Sequence, residues 1–415
     1  MKMTLKQKRK QRTIISLLND ILAVMWAEFR TMFKDRGVVI MLVLAPLVYP
    51  VLYGLIYKNE TLTKVPVAAV DCSESQTSRE LLRHLDATQS VQIAYRFNSL
   101  EEAKKAFNNK LVHGVVYIPA DFAKKLNYGD QTTVSIYCDI SSFMYYRIIN
   151  QACTNCILDM NKRIQLDRLN ANGIAGEEAE IIANPVQYSG TALYNEGAGF
   201  ASFLLPALLI IILQQTLFLG IGMITGTSRE ENRFHELVST TVHRGKILRV
   251  IIGKSVCYFA LYGVWSFFML GVIPHVFDLP HIGITADLIL FIIPFLLSVI
   301  FFSMTVSVFL PNRETGMVLF LSFSLVLLFI SGFSWPPSNI HWFWKTFAWI
   351  FPSTSGVQGY LKINTMAGTL RTVSQEYISL WIQTGLYFMT TFITYRWQIK
   401  RISNKLALES EPVLS

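Results

Sequence analysis

The sequence predicts a polytopic α-helical membrane protein with six transmembrane helices and an extracytoplasmic α/β domain inserted between the first and second of them. Hydrophobic residues make up 52% of the 415 residues and charged residues only 16%, whereas an ordinary soluble domain has about 25% charged residues. The mean hydropathy is +0.38. The apolar residues are also concentrated in segments of about the 20 residues that a helix needs to cross the hydrocarbon core of a bilayer.

Residues 1–37 form a basic arm followed by a stretch of helical periodicity. Basic residues are frequent between Lys6 and Arg12, and apolar residues then recur at helical spacing from Ile14 to Phe33. We expect an amphipathic helix that lies on the membrane surface, although a soluble helix that binds a partner has the same pattern. The charged residues assigned to this interfacial helix are Glu28, Arg30, Lys34, Asp35 and Arg36.

The six apolar segments are the predicted spans, and the first of them carries no charge. They comprise residues 38–57, 200–226, 248–274, 288–310, 316–335 and 377–395. One such segment alone is also typical of a buried helix in a soluble core. Four closely spaced segments in the second half of the chain favour a membrane bundle.

The basic residues that give the net charge of +9 are distributed as the predicted topology requires. A basic chain is typical of nucleic-acid binders. With the N-terminus in the cytoplasm, however, the cytoplasmic segments hold 20 of the 37 lysine and arginine residues, and the outer connections at 275–287 and 336–376 hold three. The positive-inside rule therefore predicts cytoplasmic termini, including the tail at 396–415, and gives no reason to expect nucleic acid as a partner. The compact loops and the lack of a secretory signal favour a bacterial inner membrane.

The polar region at 58–199 has the pattern of a small α/β domain. Strands are predicted at Val65–Asp71, Val91–Tyr95, Gly114–Ile118 and Thr133–Cys138, in the order β-α-β-α-β-β. Thr77 with Glu80, and Ser99 with Glu102, have the spacing of capping boxes at helix N-termini. A long helix is predicted from about Phe143 to Asn170.

Four of the five cysteines lie in this region. Cys72 and Cys138 each follow a predicted strand, and an outer compartment would permit a disulfide between them. Cys153 and Cys156 form a C-x-x-C motif inside a predicted helix, without a second pair or a nearby histidine. We favour plain helix residues over a metal or redox site at this motif.

Recognisable catalytic chemistry is missing from the sequence. Gly253-Lys254-Ser255 resembles the end of a nucleotide-binding loop. It lies in a predicted span, however, and the first glycine of the loop motif is absent. Gly222-x-x-x-Gly226 favours close helix packing. Ionisable residues are nearly absent from the middle of the spans, which lowers the expectation of an ion-coupled carrier. Gln214 and Gln215 are the most polar pair within a span, and we favour interhelical hydrogen bonds over substrate contact for them.

The order of local motifs resembles the membrane subunit of type-2 ABC exporters, the ABC-2 type permeases, in the branch with a large extracytoplasmic domain after the first transmembrane helix. The resemblance covers nearly the whole chain. It rests on Ala27-Glu28-Phe29-Arg30 with Lys34-Asp35-Arg36, Gly114–Pro119 with Phe122, Arg229-Glu230-Glu231 with Glu236-Leu237, and Gly332-Phe333 with Trp335-Pro336 and Phe351-Pro352. The chain departs from the family at Arg233-Phe234, Thr241-Val242 and Ile340-His341.

The resemblance implies a permease without catalytic residues, metal or cofactor of its own, which pairs with a second permease, identical or different, above two copies of an ATP-binding subunit. It implies ATPase coupling through the cytoplasmic loop at 227–247, whose charged residues are Arg229, Glu230, Glu231, Arg233, Glu236, Arg244 and Lys246. A basic loop that binds lipid headgroups is the alternative.

The family also implies a pathway for an amphiphilic or hydrophobic compound, such as a drug-like molecule or a lipid, lined by the second and fifth spans. Its polar residues would be Ser202, Gln214, Gln215, Ser322 and Ser324. Short re-entrant helices in the outer segment at 336–376 would form an outer gate with Trp335, Pro336 and Pro352, although a plain interfacial tryptophan belt has the same composition. A transmembrane sensor that binds a ligand through the outer domain, and an ion channel, are the alternative functions.

Overall fold

The structure, a computed structural model, describes residues 5–58, 62–186, 193–195, 199–231 and 246–409. The chain divides into two compact units. The first, which we call the helical unit, comprises residues 1–58 and 192–415, and the second, the α/β unit, comprises residues 59–191.

The first helices of the helical unit form the arm and the first predicted span. They are α1 (Leu5–Lys34), α2 (Arg36–Val39), a π-helical turn (Ile40–Leu44) and α3 (Ala45–Ile56). Asp35 separates α1 from α2 because its carboxylate accepts hydrogen bonds from the first backbone N–H groups of α2.

Two faces of α1 differ in their surroundings. One face exposes a stripe of large apolar side chains at helical spacing, which consists of Leu18, Leu22, Trp26, Phe29 and Phe33. The opposite face is packed inside the helical unit, where Met32 is 1% exposed. A helix is therefore present where one was predicted, and its exposed side is apolar. Its place on the membrane surface remains a prediction.

The α/β unit contains a four-stranded sheet in the order β2-β1-β3-β4. Its elements are β1 (Val65–Asp71), α4 (Gln76–Asp86), β2 (Val91–Phe97), α5 (Leu100–Asn108), β3 (Gly114–Ile118), α6 (Phe122–Tyr128), β4 (Ser135–Cys138), α7 (Phe143–Ala171) and α8 (Glu177–Ala183). β1 is parallel to β2 and β3, and β4 is antiparallel to β3. The four predicted strands and the long helix are present, and α6 is an element that the sequence pattern did not predict.

The predicted capping box at Thr77 and Glu80 is wrong. Ser75 is the N-cap of α4: its hydroxyl accepts from the Ser78 N–H at 3.0 Å, and the Ser78 hydroxyl accepts from the Ser75 N–H at 3.0 Å. Ser78 also donates to the Asp71 carboxylate at 2.7 Å. This bond to the end of β1 favours the earlier start of the helix. At α5, the Ser99 hydroxyl accepts from the Glu102 N–H, which is one of the two bonds of the predicted capping box.

All five cysteines are free thiols. Cys153 lies in the core of the α/β unit with no exposed surface, and Cys138 and Cys156 pack at the edge of the same core. The Cys72–Cys138 bridge allowed by the sequence is not formed. Cys153 and Cys156 are helix residues, as we favoured, and burial raises the pKa of Cys153 to about 12.

The second part of the helical unit contains the remaining predicted spans. Its helices are α9 (Phe200–Glu230), α10 (Lys246–Phe267), a π-helical turn (Phe268–Val272), α11 (Ile273–Val276), α12 (Thr285–Ser307), α13 (Arg313–Ile330), α14 (Trp342–Trp349), α15 (Pro352–Asn364) and α16 (Ser374–Glu409). α9 is central and packs against α3, α12, α13 and α15. Most of its apolar residues are buried.

Four helical segments among the described residues are long and apolar enough to cross a membrane. They are Arg36–Ile56, Phe200–Glu230, Ile247–Val276 and Thr285–Ser307. The second and third contain their predicted spans, whereas the first and fourth end before the predicted ends at 57 and 310. The fifth and sixth predicted spans lie in α13 and α16 and remain predictions as membrane crossings.

The end of the fifth predicted span is wrong. α13 ends at Ile330 and not at Trp335, because Gly332 takes a left-handed conformation with a φ of 80° just after the C-cap Ser331. Two prolines follow at Pro336 and Pro337. The sixth helix is longer than predicted, since α16 begins at Ser374 and continues to Glu409.

Candidate functional site

The Asp35 carboxylate joins three helices of the helical unit. One oxygen, Oδ1, accepts from the Gly37 N–H at 2.9 Å and the Val38 N–H at 3.4 Å, which caps α2. The other, Oδ2, accepts from Arg313 Nη1 at 3.1 Å and from the Thr227 hydroxyl at 3.3 Å. α2, α9 and the start of α13 are therefore held by one acidic side chain.

Two glycines allow this close approach to Arg313. A Cβ on Gly226 would lie 2.7 Å from the Arg313 backbone nitrogen, and a Cβ on Gly37 would lie 1.8 Å from Arg313 Nη2. Gly226 is the second glycine of the predicted packing motif, so the packing interpretation agrees with the structure. The space that the missing side chains leave is filled by the backbone and guanidinium of Arg313.

Two of the predicted coupling residues strengthen the same junction. Glu230 accepts from the Arg313 N–H at 2.8 Å. Arg229 donates to the Leu310 and Val308 carbonyls, both at 2.6 Å, at the end of α12. We call Asp35, Thr227, Arg229, Glu230 and Arg313 the Asp35 cluster. It ties the end of α9 to the connection between α12 and α13.

A second group of polar contacts joins α1 to α10. Lys254 Nζ lies 3.0 Å from Glu28 Oε2, and Tyr258 donates to Glu28 Oε1 at 2.5 Å. The side chains of Lys254 and Glu28 are only 7% and 6% exposed. Arg249, one turn before Lys254, forms an ion pair with Asp20. We call these five residues the α1–α10 clamp.

The clamp changes the interpretation of two charged residues. Glu28 was assigned to an interfacial helix on the membrane surface, and Lys254 was placed near the end of a span. The structure instead buries both, because each neutralises the other inside the bundle. Gly253 makes the contact possible, since its missing Cβ would lie 2.8 Å from the Val24 side chain. A glycine beside a lysine early in a span, opposite an acidic residue on an amphipathic helix, is the signal that could have identified this pair.

The other charged residues of the interfacial helix take no part in the clamp. Arg30 stacks over the Trp26 ring at 5.5 Å, beside the exposed stripe. Lys34 is exposed at the end of α1, and Arg36 is the first residue of α2.

The predicted coupling loop lies between the two groups of contacts. α9 ends at Glu230, beside the Asp35 cluster, and α10 begins at Lys246, a few residues before the clamp. Glu231 is exposed at the end of α9. Arg233, Glu236 and Arg244 lie outside the described residues, as does the side chain of Lys246.

The two glutamines of α9 have different surroundings. Gln214 forms the interhelical contact that we favoured: its Nε2 donates to the Ser353 hydroxyl at 3.0 Å, and its Oε1 accepts from the Ser353 N–H at 2.6 Å. Gln215 is 5% exposed, and its Nε2 has no hydrogen-bond partner among the described residues. The whole amide nitrogen of Gln215 is therefore available as a donor among the described residues.

Gln215 lines a cavity of about 290 Å³ between α3, α9 and α13. Ser324 also lines it, and the remaining walls are mostly apolar or aromatic, including Tyr49 and Tyr53. Of the predicted pathway residues, Gln215 and Ser324 are thus brought together. Ser202 is buried near the start of α9 and Ser322 is exposed on α13, and neither lines this cavity.

The predicted outer segment contains two short helices, α14 and α15, separated at Pro352. Trp335 is 58% exposed, and Pro336 precedes a 3₁₀ turn. Pro352 is buried at the first position of α15, where a missing N–H costs nothing. The Trp349 indole donates to Ser379 at 2.7 Å, which holds α14 against α16.

A family model described as ABC-2 family transporter protein matches residues 36–393, which is most of the chain. The matched region begins at α2 and ends within α16, and it includes the α9 cavity and every residue of the Asp35 cluster except Asp35 itself. No protein with a curated description matches the sequence.

Proposed function

Because the chain belongs to the ABC-2 family of transporter proteins, we propose that it is the membrane-spanning permease subunit of an ATP-driven ABC exporter. ATP is hydrolysed by a separate ATP-binding subunit, present in two copies. A second permease subunit, identical or different, completes the complex in the bacterial inner membrane. The chain itself carries out no catalysis.

The observation that carries the proposal is the attachment of both helices that flank the 232–245 segment. An ATPase that pushes on this segment transmits force to α9 through its last turn and to α10 through its first. α9 is tied to α2 and α13 by the Asp35 cluster, and α10 is tied to α1 by the clamp. A force applied to the 232–245 segment is therefore transmitted to α2 and α13 through α9, and to α1 through α10.

The α9 cavity supports the proposed class of substrate. Its walls are largely apolar, with the Gln215 amide as a polar group that has an unused donor. Such a lining suits an amphiphilic or hydrophobic compound better than a small ion, which would need charged rings or carbonyl ligands. We propose that the compound moves outward, past a gate formed by the segment that includes Trp335, Pro336 and Pro352.

The coupling role is tested with Glu231→Lys in the complete complex, reconstituted in vesicles with its ATPase. Glu231 is chosen because it is exposed at the C-cap of α9, directly before the 232–245 segment. Reversal of a charge at a docking surface costs several kcal/mol, so we expect substrate-stimulated ATPase activity to fall about tenfold or more. Glu178→Lys, an exposed glutamate of α8 in the α/β unit, is the matched control.

Unchanged stimulated activity in Glu231→Lys would remove this residue from the coupling site. Failure of any ATP-binding subunit to copurify with the wild-type chain would contradict the proposed function as a whole.

A further inference from the structure

The α/β unit contains a cleft that the proposed permease function does not use. It has a volume of about 340 Å³ and lies between α6, α7 and the segment that leads into β4. Sites for small molecules usually have volumes of about 300–1,000 Å³. The cleft therefore has the size of a compact ligand site.

The floor of the cleft is apolar. Leu81 and Phe122 line it and are 4% and 3% exposed. Leu126 of α6, with Ile157 and Ile164 of α7, is partly exposed along the walls. Covering apolar surface of this kind favours the binding of a ligand with an apolar part.

One wall of the cleft carries a polar group without a partner. The Thr132 hydroxyl is buried and has no hydrogen-bond partner among the described residues. A buried hydroxyl without a partner is energetically unfavourable. Rotation of the Thr132 side chain would turn this hydroxyl towards a ligand atom that accepts from it, which would remove the penalty.

The rim supplies a cation. Arg168 lines the cleft, and its Nη2 donates to the Leu126 carbonyl at 2.6 Å, which holds the guanidinium beside the opening. A guanidinium has five N–H donors, and this bond uses one. Asp130 lines the same rim and repels anions, so an anionic ligand group must bind on the Arg168 side.

We propose that this cleft binds a small amphiphile with one anionic group. The aromatic or hydrocarbon part lies against Phe122, Leu126 and Ile164, and the anion accepts from Arg168 and the Thr132 hydroxyl. This site is separate from the α9 cavity, and the inference does not depend on the proposed permease function.

The proposal is tested by photolabelling the full-length protein in lipid nanodiscs with 4-benzoylbenzoate, a photoreactive aromatic carboxylate. After irradiation, peptide mass spectrometry should find a saturable adduct in the segments 126–134 or 157–168. Excess naphthalene-1-sulfonate, another aromatic anion, should displace it. Absence of a saturable adduct in these segments would overturn the proposal.

Two helix variants test the location. Ile164→Trp fills the cleft and should reduce the adduct at least tenfold. Leu158→Trp adds the same ring to the same helix at a position that is 59% exposed and outside the cleft, and it should leave the adduct unchanged. Equal labelling of wild type and Ile164→Trp would contradict the site.

A third variant tests the anion contact, and it is informative even if Ile164→Trp fails to fold. Arg168→Gln removes a charge at an exposed residue. A charge-assisted hydrogen bond is worth about 1.5–3 kcal/mol, so half-saturation by 4-benzoylbenzoate should need about tenfold more probe. Labelling by uncharged benzophenone should stay within twofold. An equal change for both probes would overturn the assignment of Arg168.

Discussion

At the scale of single residues, the buried pair of Glu28 and Lys254 has the largest energetic consequence. Both side chains are more than nine-tenths buried, and Tyr258 donates to the same carboxylate. Loss of one partner leaves the other charge buried without compensation. Replacement of both charges by neutral groups avoids that penalty.

Lys254→Met should therefore lower the free energy of unfolding by about 3–5 kcal/mol, measured by denaturant titration in detergent micelles. The double variant Glu28→Gln/Lys254→Met should recover part of this loss. Lys345→Met removes an exposed lysine of α14 and serves as the control. Equal stability of Lys254→Met and Lys345→Met would show that the pair is not a stabilising contact.

The thiols of the α/β unit offer a prediction on pH. Burial raises the pKa of Cys138 to about 11 and that of Cys153 to about 12. The thiolate is the reactive form, so at pH 8 both residues should resist iodoacetamide in the folded protein and react after denaturation. Mass spectrometry of the peptides measures this. Rapid modification of Cys153 at pH 8 would contradict its placement in the core.

The same shift has a consequence for stability. A thiol whose pKa is higher in the folded state contributes stability that is complete below its ordinary pKa of 9.0 and is lost as the pH rises towards 12. Thermal stability of the wild type should therefore decline more steeply than that of Cys153→Ala between pH 9 and pH 11.

At the scale of elements, the junction of α9 with α13 depends on a glycine. Gly226→Ala would place a methyl group 2.7 Å from a backbone atom, which cannot move as a flexible side chain can. Overpacking of this kind costs about 1–3 kcal/mol, and we expect lower thermal stability and weaker ATPase stimulation. Gly263→Ala in α10, where the added Cβ meets nothing within 4 Å, is the matched control. Equal effects of the two variants would refute the packing role.

The elements were predictable where periodicity and composition decide them. The strands of the α/β unit, α7 and the first four spans follow from local pattern. The start of α4 depends on the bond between Ser78 and Asp71, which lies outside the helix, and the end of α13 depends on the conformation of Gly332. A tertiary hydrogen bond or a left-handed backbone conformation of this kind cannot be predicted from the hydropathy pattern of the sequence.

The candidate site was predictable only in part. The sequence pointed to Glu230, Gln214 and Gln215, but it assigned no partner to Asp35 and gave Arg313 no role. Asp35 and Arg313 are 278 positions apart, and no local spacing relates them. Their contact follows from the packing of α2 against α9, which brings both helices to the α12–α13 connection.

At the scale of the whole molecule, the proposed orientation places the α/β unit outside and the end of α9 inside. A cysteine-free variant with Tyr128→Cys should react with a membrane-impermeant maleimide in intact spheroplasts, because Tyr128 is 76% exposed in the α/β unit. Glu231→Cys in the same background should react only after permeabilisation. The reverse pattern would invert the topology.

The α1–α10 clamp also bears on how the chain enters the membrane. α1 is synthesised long before Lys254, so the carboxylate of Glu28 is already available when the third span is inserted. A lysine within a span opposes insertion, and a neighbouring counter-ion lowers that cost. We therefore expect Glu28 to assist the insertion of a helix that is synthesised more than 200 residues later. In Glu28→Gln, the fraction of newly made chains that resists carbonate extraction should fall, and the substitution Lys254→Met should restore it.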